Sequence, residues 1–430
     1  MNDIGSRITI TPRIAIFSLH LAIFLVLFFG YEYFIVPKFG YEGYFFEPNN
    51  VNIFISLILM MILSLSTPID SGKPSTLFLH ITLILVLIPM LVLFCAENKP
   101  WAYTFQSVAA YLVIILLLPL IQAKYIKLPS FDYNILATVL ISFTVFYIAF
   151  IFAMGGWSYF NLDISKVYDF RTEAEENLGG IFGYISPLIG KVILPFSLLL
   201  SLITKRYFSV LLCILLSVII FGLTAHKGPL FYPLFIVIIY FLLSNKNVIR
   251  NLSLVCIVVL AVSIVDILLS NIFDYYLFGW FGSLAMRRMF IVPGSINYMY
   301  YDFFSNNDFV FWSESKLTLG LLDYPYSIDT SHLIGLEYFG MYDAGANTGW
   351  LGSGYMHAGF ISTLFYAFII SVVFSYIDKL ATRVHDRRLV VAGIFLPIIT
   401  LITSSDLPTA FLTHGLFMNL ILIGFLKRLD

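Results

Sequence analysis

Two adjacent arginines, Arg287 and Arg288, are the sharpest chemical feature of this 430-residue sequence. The segment from Phe278 to Asn297 holds no Asp or Glu to pair with them, and Met286, Met289 and Phe290 flank them. A double guanidinium without a local acid calls for an anion, and its forked donors match phosphate oxygens. The pair therefore reads either as a diphosphate site or as a contact with anionic lipid headgroups. Arg171 is different, because Asp169, Glu173, Glu175 and Glu176 surround it as on a surface helix with local ion pairs.

Further on, Tyr300-Tyr301-Asp302 and Asn347-Thr348-Gly349 supply hydroxyls, amides and one carboxylate beside aromatic faces. Carbohydrate sites combine such groups, and so do the tyrosine-rich anchors of membrane interfaces. Glycines at 345, 349, 352, 354 and 359 let backbone approach a ligand or let helices pack closely. His226-Lys227-Gly228-Pro229 is a tight turn whose cations suit lipid phosphate or a dedicated anion site. Lys191 and Asp266 each sit about one turn inside an apolar run, a costly place for charge. They point to an outward-opening polar cavity, or else Lys191 snorkels to the headgroups. His20 and His80, isolated in apolar runs, read as packing residues.

The elements that must position these residues are membrane helices. Hydrophobic residues make up 60% of the chain and charged residues 11%, with mean hydropathy +0.93. Soluble domains carry about 25% charged residues. Apolar runs of about 20 residues match a bilayer-crossing helix. Twelve spans are expected, near 13–36, 51–66, 76–95, 101–121, 134–154, 187–203, 207–223, 229–243, 248–270, 356–377, 389–405 and 409–426. The class is an all-α integral membrane protein, a single polytopic domain over 1–430. The first run, Ile14 to Val36, is too long for a signal-peptide core and reads as a retained span.

With the N-terminus inside, the short inner segments hold fifteen of the 24 Lys and Arg, and the much longer outer ones together with the outer end of the sixth span hold nine. This bias places both termini in the cytoplasm. Two outer loops follow, 155–186 with Arg171 and a large one at 271–355 between spans nine and ten. The stretch from Tyr275 to Phe360 resists solution in lipid, so the work of the protein is expected there. Trp280, Trp312 and Trp350 suggest partial immersion at the interface.

Several classes are excluded. A net charge of −1 without basic stripes gives no nucleic-acid partner. Cys95, Cys213 and Cys256 lie in or at the ends of apolar spans without CxxC or Cys/His spacing, so disulfides and zinc are not expected. Short basic turns inside leave no room for a cytoplasmic ATPase or catalytic module.

The outer Arg-bearing loop before the sixth span, His-Lys after the seventh, Arg287-Arg288, Tyr300-Tyr-Asp-Phe-Phe-Ser305 and Gly345-Ala-Asn-Thr-Gly-Trp-Leu-Gly-Ser-Gly354 together resemble the O-antigen polymerases. The likeness runs from about Tyr168 to Asp406. It implies a lipid-sugar-using membrane glycosyltransferase in the bacterial inner membrane, working at the periplasmic face. Its substrates would be undecaprenyl-diphosphate-linked oligosaccharides, with the growing chain passed from its lipid diphosphate to a sugar hydroxyl of the next unit. The donor is already activated, so neither nucleotide, metal nor other cofactor is expected, in keeping with the lack of a Gly-rich phosphate loop or an outer DxD.

On that resemblance Arg287 and Arg288 stabilise the departing diphosphate, with Arg171 and the His226-Lys227 turn behind them. Asp302 and His357 are the candidate bases. Lys191, Tyr300, Tyr301, Asn347 and Thr348 are the expected substrate contacts. An O-antigen ligase would use the same donor on a lipid A core acceptor. A lipid-linked oligosaccharide flippase would show internal repeats and polar residues deep in its spans. Membrane lipids are expected neighbours, and docking of a chain-length regulator on the outer loops is left open.

Overall fold

Every one of the twelve apolar stretches coincides with a helix. The computed structural model describes residues 12–163, 182–244, 247–273, 278–315, 318–384 and 386–427. We number the helices α1 (Pro12–Glu42), α2 (Asn50–Ser66), α3 (Pro74–Ala96), α4 (Trp101–Leu117), α5 (Tyr133–Gly156), α6 (Phe182–Ile203), α7 (Tyr207–Thr224), α8 (Gly228–Leu242) and α9 (Val248–Ile272). There follow α10 (280–306), α11 (Thr330–Phe339), α12 (Trp350–Val384), α13 (Arg387–Thr403) and α14 (Leu407–Gly424). Eight of them, α1, α3, α5, α6, α7, α9, α12 and α14, are long and apolar enough to cross a membrane. The protein is an all-α, multi-pass membrane protein. Among the described residues there is no strand, only an isolated bridge between Phe131 and Leu426.

Burial follows the distribution of apolar residues around each helix. α3 is apolar on every face and is enclosed along nearly its whole length, as a helix without a polar face must be. α9 buries only a narrow stripe and exposes Val255, Val258, Val262 and Val265 on the outer surface of the bundle. Prolines bend the framework. Four π-helical turns, at 31–35, 83–87, 189–193 and 283–291, each end just before a segment with proline in second place: Pro37, Pro89, Pro195 and Pro293. A proline inside a helix has no N–H to give and its ring crowds the carbonyl four residues back. A widened turn relieves both problems.

The expected large outer loop, 271–355, is mostly helical and packed. α10 carries Arg287 and Arg288 in its π-helical turn, and its second half lies against α3, α4 and α12. Asn297, Tyr298 and Tyr300 are buried there. The Tyr298 hydroxyl meets the Met90 carbonyl at 3.2 Å and the Thr104 hydroxyl at 2.7 Å. Of the tryptophans expected at the interface, Trp280 is exposed, whereas Trp350 is fully buried and Trp312 is enclosed in a side-chain network. In the other expected loop, Arg171 lies outside the described residues.

α12 is broken near its start. Ala358 and Gly359 leave the helical region, Gly359 with φ 65° and ψ −143°, a combination essentially reserved for glycine. The Ser362 hydroxyl accepts from the Ala358 N–H at 2.7 Å and donates to the Gly354 carbonyl at 2.6 Å, which satisfies groups freed by the break. The carbonyls of Met356 and His357 accept from the backbone N–H groups of Val310 and Phe311. The 307–315 segment is thereby docked onto the break. The tight approach of Gly349 to the Ile402 carbonyl, which a Cβ would meet at 2.0 Å, fixes the start of α12 against the end of α13. At that position the glycine series serves helix packing.

Candidate active site

The break in α12, the docked 307–315 segment, the start of α11 and the α13–α14 junction enclose a polar cavity of about 530 Å³. Tyr300, Asn347, Thr348 and His357 line it, so four of the expected residues come together. Lys191 reaches its rim, where the ammonium lies 3.1 Å from Nδ1 of His414, another lining residue. Asp266 is elsewhere, capping the start of α10 by accepting the Gly282 N–H at 2.8 Å.

The centre of the cavity wall is a carboxylate that the sequence reading passed over, Asp406. It is the N-cap of α14, taking the Leu407 N–H on Oδ1 at 2.8 Å. The Tyr366 hydroxyl donates to the same oxygen at 2.8 Å, and His357 Nε2 lies 3.2 Å from Oδ2. Trp312 supports both arms: its indole N–H donates to the Tyr366 hydroxyl at 2.9 Å and its backbone N–H to His357 Nδ1 at 3.0 Å. Its ring also stacks on the imidazole, with centroids 4.5 Å apart.

These bonds fix the state of His357. A backbone N–H can only donate, so Nδ1 is the acceptor and the ring proton sits on Nε2, directed at Asp406. Both nitrogens are occupied and the side chain is 2% exposed. Neither ring nitrogen of His357 is therefore free for the role of base expected of it. Asp406, at 17% exposure and facing the cavity, is the group placed to accept a proton. Trp312 and Phe311 both hold left-handed backbone, with φ of 61° and 48°. Consecutive non-glycine residues in that region are strained, and such strain persists where surrounding structure enforces it.

The arginine pair divides. Arg287 turns to the end of α1, where its guanidinium pairs with the Glu42 carboxylate and lies 4.4 Å from the centre of the Phe39 ring. The expectation of an unpartnered charge fails at this position, because the acid comes from 245 residues away. Arg288 is exposed and has no acidic partner among the described residues. It lies at an apolar groove of about 470 Å³ between α3, α8, α9 and α13, floored by Ile84, Leu85, Leu252, Ile296 and Phe395. Asn347 and Ser404 belong to both groove and cavity, so the two spaces adjoin.

Other expected site residues stand apart. Asp302 is exposed and accepts the Tyr338 hydroxyl at 2.6 Å, away from His357. Tyr301 is half-buried between the rings of Tyr103 and Tyr355. The Tyr300 hydroxyl is committed to the Ala346 carbonyl at 3.0 Å, so it is the ring that lines the cavity. His226 and Lys227 do not line the cavity, although Pro229 of the same turn packs on Gly190, beside Lys191.

Two further carboxylates line the cavity. Glu314 accepts from the N–H and hydroxyl of Thr330. Asp329 caps α11, taking bonds from the His332 backbone and the Ser331 hydroxyl. Partial burial pushes the Asp329 carboxyl up, but the bonds from His332 and Ser331 outweigh it and hold the group below its ordinary range. The Ser353 hydroxyl, 2% exposed, lines the cavity without a partner among the described residues. A single acid such as Asp406 between two apolar runs was visible in the sequence as a break between spans, but its side-chain donors, His357 and Tyr366, lie 49 and 40 residues away on α12. No protein-family model, curated protein or solved structure matches the chain.

Proposed function

We propose that this protein is a polymerase of lipid-diphosphate-linked oligosaccharides, a membrane glycosyltransferase of the O-antigen polymerase kind with twelve spans, cytoplasmic termini and a periplasmic site. One observation carries the reading: an apolar groove with a guanidinium, Arg288, that meets no acid among the described residues adjoins a polar cavity holding an oriented carboxylate. The groove suits a polyprenyl chain and Arg288 suits its diphosphate. The cavity, with its hydroxyls, amides and carboxylates, suits sugar.

The chemistry then follows. Asp406 takes the proton of the acceptor hydroxyl as that oxygen bonds the anomeric carbon of the donor chain. The bond from that carbon to the diphosphate oxygen breaks, and the diphosphate leaves with the electron pair, stabilised by Arg288. His357 and Tyr366 keep Asp406 turned to the cavity.

Deleting the gene and resolving the surface polysaccharide by size tests the reading. Lipid cores capped with single repeat units support a polymerase. Bare cores would favour a ligase or a flippase, and an unchanged ladder would dismiss all three.

A further inference from the structure

A cavity of about 640 Å³, larger than the candidate active site, lies at the other end of α12. The start of α3, the end of α4 with the segment that follows it, and α12 enclose it. The helical rise from His357 to Asp378 on α12 is about 30 Å, the thickness of a bilayer core, so the two cavities lie at opposite membrane faces.

What this cavity can hold depends on which of its polar groups are already engaged. Both carboxylates are. Asp378 caps the start of α3, accepting the Ser75 N–H at 2.9 Å on one oxygen and the Ser75 hydroxyl at 2.6 Å on the other. Asp70 accepts the Gly72 N–H at 2.9 Å within its own turn, and Arg387 lies near it as a counter-charge. The Ser375 hydroxyl donates to the Ile121 carbonyl and accepts from the Ala123 N–H.

The groups left over are of one kind. The ammoniums of Lys73 and Lys379 and the amide of Gln122 line the cavity, and none makes a hydrogen bond or ion pair among the described residues. Lys73 stands near Asp378 without pairing with it. Thr76, in the first turn of α3, is 1% exposed and lines the cavity, and its hydroxyl has no partner among the described residues. A buried hydroxyl left unpaired is costly, which marks a place where a further acceptor belongs. All four uncommitted groups can donate, and two are cations.

We propose that this cavity binds a phosphate group, with Lys73 and Lys379 supplying charge and Thr76 and Gln122 neutral hydrogen bonds. Two cations match the double charge of a terminal phosphate better than the single charge of a diester. The wall formed by Ile115, Leu118 and Ile121 is apolar, and Leu116 and Leu120 beside it are exposed, so the phosphate of a lipid can enter with its chains along α4. A soluble phosphate can enter from water. The proposal is independent of the polymerase reading, since this cavity shares no lining residue with the candidate active site or the groove at Arg288.

The test measures binding to the purified full chain in a neutral detergent by native mass spectrometry. The probes are dioctanoyl phosphatidic acid, phosphatidylglycerol and phosphatidylethanolamine, with inorganic phosphate as competitor. The site is read as the binding that Lys73→Gln combined with Lys379→Gln removes, so a headgroup held at Arg288 is not counted. That component should favour phosphatidic acid over the other two lipids by about tenfold or more. Each lysine variant alone should weaken it about tenfold and Thr76→Val about threefold. Lys127→Gln, on the segment after α4 but outside the cavity, should leave it unchanged.

Competition by inorganic phosphate would identify a soluble phosphate as a sufficient ligand, and its failure to compete would identify a lipid-borne one; either upholds the site. Equal binding of the three lipids would overturn the proposal, as would a loss in Lys127→Gln as large as in Lys379→Gln, which would leave only a surface that attracts anions. Preference for phosphatidylethanolamine would also overturn it and give the cavity to an ammonium held by Asp70 and Asp378.

Discussion

Replacing Arg287 and Arg288 one at a time should produce two different defects, although the residues are neighbours in one π-helical turn. Arg288 meets no acid among the described residues, and it stands where an apolar groove adjoins the cavity. Losing a guanidinium that meets developing charge costs on the order of 3 kcal/mol, roughly a hundredfold in rate. Arg288→Ala should therefore lower turnover about a hundredfold at unchanged thermal stability. Arg288→Lys should recover only part, because the ammonium lacks the planar fork.

Arg287 is 12% exposed and its partner Glu42 24%. Arg287→Ala strands that carboxylate and removes the cover over Phe39, so stability should fall by about 1–3 kcal/mol. The protein that remains folded should turn over near the normal rate. Adding Glu42→Gln to Arg287→Ala should restore much of the loss, since the stranded charge is gone. Thermal unfolding in detergent and polymer formation at matched folded protein separate the two effects. Collapse of turnover in Arg287→Ala at full stability, with Arg288→Ala active, would refute this division of roles.

Further expectations concern the frame. A tag at Asn306 should be labelled by a membrane-impermeant reagent in intact cells and one at Arg387 should not; the reverse pattern would invert the topology. Gly359→Ala should destabilise the chain by at least about 1 kcal/mol, because its backbone conformation is one that residues with a Cβ avoid. It should also lower turnover by loosening His357, and wild-type behaviour in both measurements would mean the break is incidental. Asp329→Ala should remove a helix cap at a cost of about 1 kcal/mol. Because the folded-state pKa of Asp329 lies below its ordinary value, its contribution is present above the carboxylate range and lost as pH falls through the folded value. The stability gap between Asp329→Ala and the natural chain should therefore close on acidification; a constant gap would count against the assignment.

What the sequence revealed and what it hid can be traced to particular residues. The helices were legible because bilayer-length apolar runs leave the backbone few alternatives. Tyr300, Asn347, Thr348 and His357 were legible as polar groups in one lipid-averse stretch, and they do share a cavity. α10 was not legible as a packed helix, since its buried face carries Asn297, Tyr298 and Tyr300, whose polar atoms are met by the Pro293 carbonyl and Thr348, by α3 and α4, and by the 346 carbonyl. The Arg287–Glu42 pair lies beyond the reach of any local window. His357 looked like a base because nothing in its neighbourhood in the sequence shows that Trp312 would occupy one nitrogen and Asp406 the other.

The central claim, that this cavity polymerises lipid-linked sugar with Asp406 as the base, is tested most directly by reconstitution. Purified protein in nanodiscs is supplied with polyprenyl-diphosphate-linked repeat units, and both glycan length and released polyprenyl diphosphate are followed in the natural chain and in Asp406→Asn. The account predicts a ladder of products with one lipid diphosphate released per bond formed in the natural chain. In the folded variant, both should fall together by roughly 10²–10⁴-fold. A ladder of equal height from Asp406→Asn would contradict it.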